Sequence, residues 1–72
     1  MYQIDRDLLG YYVKKANTTY AALAEEMGID RSTLSRHIAT NTLTVAEMYV
    51  LISELKLTQE VVFQIFFAEK VA

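Results

Sequence analysis

Arg31, Ser32, Ser35 and Arg36 fall within six consecutive positions, and the chemistry they offer is recognition. A guanidinium fork pairs bidentately with a guanine edge, a phosphate or a carboxylate. A serine hydroxyl contacts the same groups with one bond. Bond-making chemistry has no comparable set. The chain has no cysteine and a single histidine, His37. It therefore offers no thiolate nucleophile and no evident Ser-His-Asp arrangement, and a lone imidazole cannot build a metal site. Two glycines cannot make a phosphate-cradling loop. The expectation is no enzyme, no metal and no cofactor.

The recognition residues need elements to hold them, and caps with apolar spacing predict five helices. Asp5 caps a first helix over about 5–16, where Leu8, Leu9, Tyr12 and Val13 share a face and Asn17 takes the left-handed exit. Thr19 caps a second, with Leu23, Ala24 and Met27 inward and Gly28 ending it at positive φ. Asp30, favoured by the helix dipole, caps a third that is anchored by Leu34 and Ile38. The polar stretch ATNTLT turns at Asn41, and Thr44 to Glu47 reads as a capping box. The fourth helix then has a predicted core face of Val45, Met48, Ile52 and Leu55, and Thr58 caps a fifth running to about Glu69. That last helix is apolar nearly all round, so one side completes the core and another, with Val62 and Phe66, is a candidate partner or dimer contact.

The chain is expected to be all-α, one domain over residues 1–72. A chain of this size buries only about 60% of the surface its unfolded form exposes. Neither disulfides nor metals are available as staples. The 53% apolar content leans towards oligomerisation or a partner surface. The absence of cysteine, an N-terminus that does not read as a secretion leader, and apolar runs far shorter than the ~20 residues of a spanning helix predict a cytoplasmic protein without a membrane segment.

The second and third helices form the core of a pattern over about 20–39. Two helices crossing over a short turn need a small residue at the crossing, here Ala24, and one tolerant of positive φ in the turn, here Gly28. Leu23, Met27, Ile29, Leu34 and Ile38 supply the apolar anchors, and the second helix of the pair projects outward. The stretch TYAALAEEMGIDRSTLSRHI resembles the Cro/CI-type (lambda-repressor-like) helix-turn-helix regulators of phages and bacteria. The ending VVFQIFFAEKVA looks most like small early regulators of temperate phages of Gram-positive hosts. The resemblance implies a five-helix domain whose third helix enters the major groove and whose fifth often helps dimerise.

Charge divides the reading in two. The chain carries a net −2, and the motif sets Arg31 and Arg36 against Glu25, Glu26 and Asp30. A polyanion is usually gripped by a basic surface. One reading, which the resemblance implies and the acid balance favours, is a modulator or antirepressor in a phage switch. It would bind a cognate repressor through Asp30, Arg31, Ser32, Ser35 and Arg36, with Glu25 and Glu26 as acidic contacts, and alter operator binding in the bacterial cytoplasm. The other is a homodimeric, sequence-specific DNA-binding repressor using the same third helix, alone weakly or jointly with a partner. Lys14 and Lys15 suit the end of the first helix, Arg6 and Lys56 read as surface ion-pair partners, and His37 as a surface or packing residue.

Overall fold

A computed structural model describes residues 2–69. Its element order is β1 (Tyr2–Gln3), α1 (Arg6–Lys15), α2 (Tyr20–Met27), α3 (Arg31–Ala39), α4 (Val45–Leu55), α5 (Gln59–Phe66) and β2 (Ala68–Glu69). The five helices start where the cap residues stand. Asp5 Oδ1 accepts from the Leu8 amide, Thr19 Oγ1 from Ala22 and Thr58 Oγ1 from Val61. At α4 the full capping box forms: Thr44 Oγ1 accepts from the Glu47 amide, and the Glu47 carboxylate accepts from the Thr44 amide. The exits turn left-handed at Asn17, Gly28, Asn41 and Lys56.

The core is Ile4, Leu9, Val13, Leu23, Ala24, Leu34, Ile38, Leu51, Leu55, Ile65 and Phe66. It draws on all five helices, and α2 packs on both α3 and α4. Ala24, almost fully buried, lets α2 and α3 approach at their crossing.

Three expectations change. Val45 is not a core residue; it is 74% exposed, and Leu51, outside the predicted stripe, is fully buried. The actual inward face of α4 is Glu47, Leu51 and Leu55, with Met48 and Ile52 at its edge. It is rotated from the predicted stripe because α2 lies on that side. The fifth helix stops at Phe66 rather than near Glu69. Beyond it, Ala68 and Glu69 pair antiparallel with Gln3 and Tyr2, and the Asp5 amide donates to the Ile65 carbonyl at 2.7 Å. That pairing partner lies at the other end of the chain, so no local pattern announces it. The two-residue ladder leaves the all-α class unchanged.

The fifth helix also presents a different face. Phe66 is 6% exposed and part of the core, and Val62 packs against the core, so Phe66 cannot reach a partner. In this segment the exposed aromatics are Phe63 and Phe67, one turn apart with ring centroids 5.4 Å from each other.

Candidate nucleic-acid interface

Leu34 and Ile38 turn one side of α3 into the core. At 100° per residue, Arg31 and Ser35 then lie on one flank, Ser32, Arg36 and Ala39 face outward, and Thr33 lies on the other flank. Arg31, Ser32, Ser35, Arg36 and Ala39 are all exposed. The helix therefore brings the four predicted recognition side chains to one continuous surface.

The two flanks differ in chemistry. On the Ser35 side a cavity of about 250 Å³ is lined by Arg6, Tyr20, Ser35 and Ile38. Arg6, the first residue of α1, thus adjoins the recognition helix, which sequence reasoning missed by treating it as an ion-pair partner. The Tyr20 hydroxyl passes over Gly10, where an added Cβ would stand 3.9 Å from it, and burial pushes the hydroxyl's pKa up. Gly10 lies one turn beyond Arg6, so Tyr20 meets the same helix near the residue that lines the cavity with it.

On the Thr33 side an open hollow is lined by Glu25, Gly28, Ile29, Asp30 and Thr33. Glu25 and Asp30 give that flank its acid, and Glu26 is exposed on the same helix as Glu25. Asp30 occupies the N-cap position with extended backbone, yet its side chain makes no capping hydrogen bond. The expected bond does not form, so its carboxylate remains at the positive end of α3 with its oxygens uncommitted to that end's amides.

Among the described residues the one ion pair joins His37 and Glu47. His37 Nδ1 stands 2.9 and 3.0 Å from the two Glu47 carboxylate oxygens. Burial raises the Glu47 pKa, but the Thr44 amide and His37 outweigh that and hold it below the ordinary carboxylate value. The arginines and acids of the α2–α3 surface make no ion pairs with one another. Lys14 and Lys15 sit in the last turn of α1, at the opposite end from Arg6, with the Lys15 ammonium 5.5 Å from the Tyr12 ring centroid.

A family model described as winged helix-turn-helix DNA-binding matches residues 3–40, just over half of the 72-residue chain. The chain belongs to the winged helix-turn-helix DNA-binding family. The matched span of this helix-turn-helix chain holds α1, α2 and α3, and so both flanks of the recognition helix. It is thus a regulator of the helix-turn-helix kind, the broad class that the Cro/CI resemblance implies. No curated protein matches the chain, and no solved structure does. Among the described residues no helix is long and apolar enough to cross a membrane.

Proposed function

We propose that this helix-turn-helix regulator acts in a phage-type lysis–lysogeny switch as a modulator of repression. In this role it docks on a cognate repressor, as one 72-residue domain, and alters the repressor's hold on its operator. The observation that carries the reading is the acidic flank of α3, where Glu25 and Asp30 share a hollow beside exposed Arg31 and Arg36. A repressor's DNA-reading face is basic. An outward helix with acid on one flank and arginine on its outer face can pair with such a face and occupy it in place of DNA. Charge complementarity speeds and orients the docking, while apolar contacts supply most of the affinity. Phe63 on α5 and Phe67 just past its end are exposed apolar side chains free to contribute.

A second reading has support from Arg6 beside Ser35 and from the DNA-binding family. Here the protein is a homodimeric repressor, its two α3 helices set one DNA turn apart, about 34 Å. Few cations are on offer, so binding is weak with a shallow salt slope, each neutralised phosphate contributing close to one log unit per log unit of salt.

A gel-shift series with this protein, the repressor and both together separates the readings. Release of the repressor from its operator supports competition, and a slower complex supports joint binding. A shift by this protein alone at physiological salt, with no association with the repressor at micromolar concentration, replaces the modulator reading with the second.

A further inference from the structure

We infer that His37 and Glu47 act together as positioning residues for α3, setting the direction in which Ser32 and Arg36 face a binding target. The inference rests on the α3 surface being the binding surface, whichever macromolecule it meets.

Leu34 and Ile38, one turn apart, are the buried anchors of this nine-residue helix. Two anchors on one line leave the helix free to roll about its axis. His37 lies off that line, on the Thr33 side, and its ring reaches both oxygens of Glu47. Glu47 cannot follow the ring, because the same carboxylate accepts from the Thr44 amide at 3.0 Å and is 7% exposed. The backbone beside it is held as well. The Thr42 amide donates to the His37 carbonyl at 2.8 Å, and Thr40 donates to the Arg36 carbonyl through both its amide and its hydroxyl. The end of α3 is thereby tied to the start of α4 through one immobilised carboxylate.

Apolar side chains would anchor the same place without the desolvation of a charged pair, and buried ion pairs seldom stabilise more than such a replacement. What a directional pair adds is a defined orientation. It also adds a proton. His37 is the chain's sole histidine, the one side-chain type that ordinarily changes charge between pH 5 and 8. The charged side chains of the elements around it are Asp5, Arg6, Asp7, Lys14 and Lys15 at α1, Glu25 and Glu26 on α2, Asp30, Arg31 and Arg36 at α3, Glu54 and Lys56 at α4, and Glu60 on α5. All but the half-buried cap Asp5 are exposed, and none pairs with His37 or Glu47. A protonated ring holds Glu47 by charge and hydrogen bond, and a neutral ring by hydrogen bond alone, so loss of the ring's proton loosens the clasp.

The test uses the full chain, its H37Q and E47Q variants, and a mixed-sequence duplex DNA as probe at low salt. Residual dipolar couplings of α3 amides against those of α4 report the roll of α3 about its own axis. In the wild type that roll is expected to change between pH 5.5 and 8.0, and in both variants to stay constant. DNA affinity is expected to fall several-fold over the same range in the wild type and to be level in both variants. A roll that is the same at pH 5.5 and 8.0 in the wild type overturns the inference. So does E47Q retaining the pH-dependent affinity, because His37 would then act by touching phosphate directly. If no DNA binds at any pH, the DNA-reading mode fails while the dipolar couplings still decide the clasp. Thermal unfolding of each variant confirms that the measurements are made on folded chains.

Discussion

The side-chain oxygen of Asn41 accepts the amide of Ile4 at 2.8 Å, joining residues 37 positions apart. Asn41 also turns the α3–α4 loop, with φ of 57°. One residue thus reverses the chain after the recognition helix and pins the N-terminal segment beside it. Asn41→Gly keeps the left-handed backbone and loses the bond, at an expected cost of about 1 kcal/mol. Asn41→Ala loses the bond and adds left-handed strain of roughly 1 kcal/mol more. Urea denaturation of the two variants checks this; equal losses would show that the backbone conformation contributes nothing.

Glu47 makes stability depend on pH in a defined direction. Its folded-state pKa is lowered, so on acidification the unfolded chain takes up the proton first. The stabilisation is fully present above the ordinary carboxylate range and is lost as pH falls through the lowered folded value. Denaturation midpoints of the wild type are expected to drop over that acidic window more steeply than those of Glu47→Gln. Parallel curves would remove Glu47 from the account of acid unfolding.

Two apolar residues of α4 should respond oppositely to truncation. Leu51 is fully buried and Val45 is 74% exposed. Leu51→Ala is expected to cost about 2–5 kcal/mol through lost burial and a residual cavity. Val45→Ser should stay within about 0.5 kcal/mol. Chemical denaturation of both gives the comparison, and a large loss at Val45 would mean that α4 is rotated from the face described.

The two glycines should differ in sign. Gly10 is helical, and a Cβ there meets Tyr20 only at an ordinary 3.9 Å. Gly10→Ala is therefore expected to stabilise by roughly 0.5–1 kcal/mol. Gly28 holds φ of +75° with open space around it, so Gly28→Ala is strained by about 1 kcal/mol despite the room. Thermal melts of the pair read the difference, and a destabilised Gly10→Ala would show that the Tyr20 hydroxyl cannot yield.

Arg6 should matter to DNA binding in a way its sequence position does not suggest. Arg6→Ala is expected to lower affinity for duplex DNA and reduce the salt slope by close to one unit, as the loss of one phosphate contact does. Lys56→Ala, at the far end of α4, should change neither by as much. Salt titrations of binding to a common duplex measure both, and identical slopes for the two variants would take Arg6 out of the interface.

The local signals were readable because their energetics lie within one helical turn. Asp5, Thr19, Thr44 and Thr58 each accept from an amide three residues on, and Asn17, Gly28 and Asn41 turn left-handed where the apolar spacing breaks. From those caps, the Ala24 crossing and the Leu34–Ile38 anchors, the helix-turn-helix and the outward set Arg31, Ser32, Ser35 and Arg36 follow from residue order alone. Asp30 marks the limit of that logic. It has the type, the place and the extended backbone of a cap, yet its side chain leaves the bond unmade.

Tertiary structure decided what depends on groups distant in the chain. Which side of α4 is buried depends on where α2 lies, so Leu51 replaced Val45 inside. The end of α5 depends on Ala68 and Glu69 finding Tyr2 and Gln3, and the same packing took Phe66 inward and left Phe63 and Phe67 outside. Arg6 beside Ser35 and His37 against Glu47 arise only when packing through α2 brings α1 and α4 up to the margins of α3. Periodicity states that a helix has an apolar side. The partner packed against that side, and the polar contacts at its margins, are set by through-space burial and hydrogen bonding between elements whose order in the chain does not encode their contact.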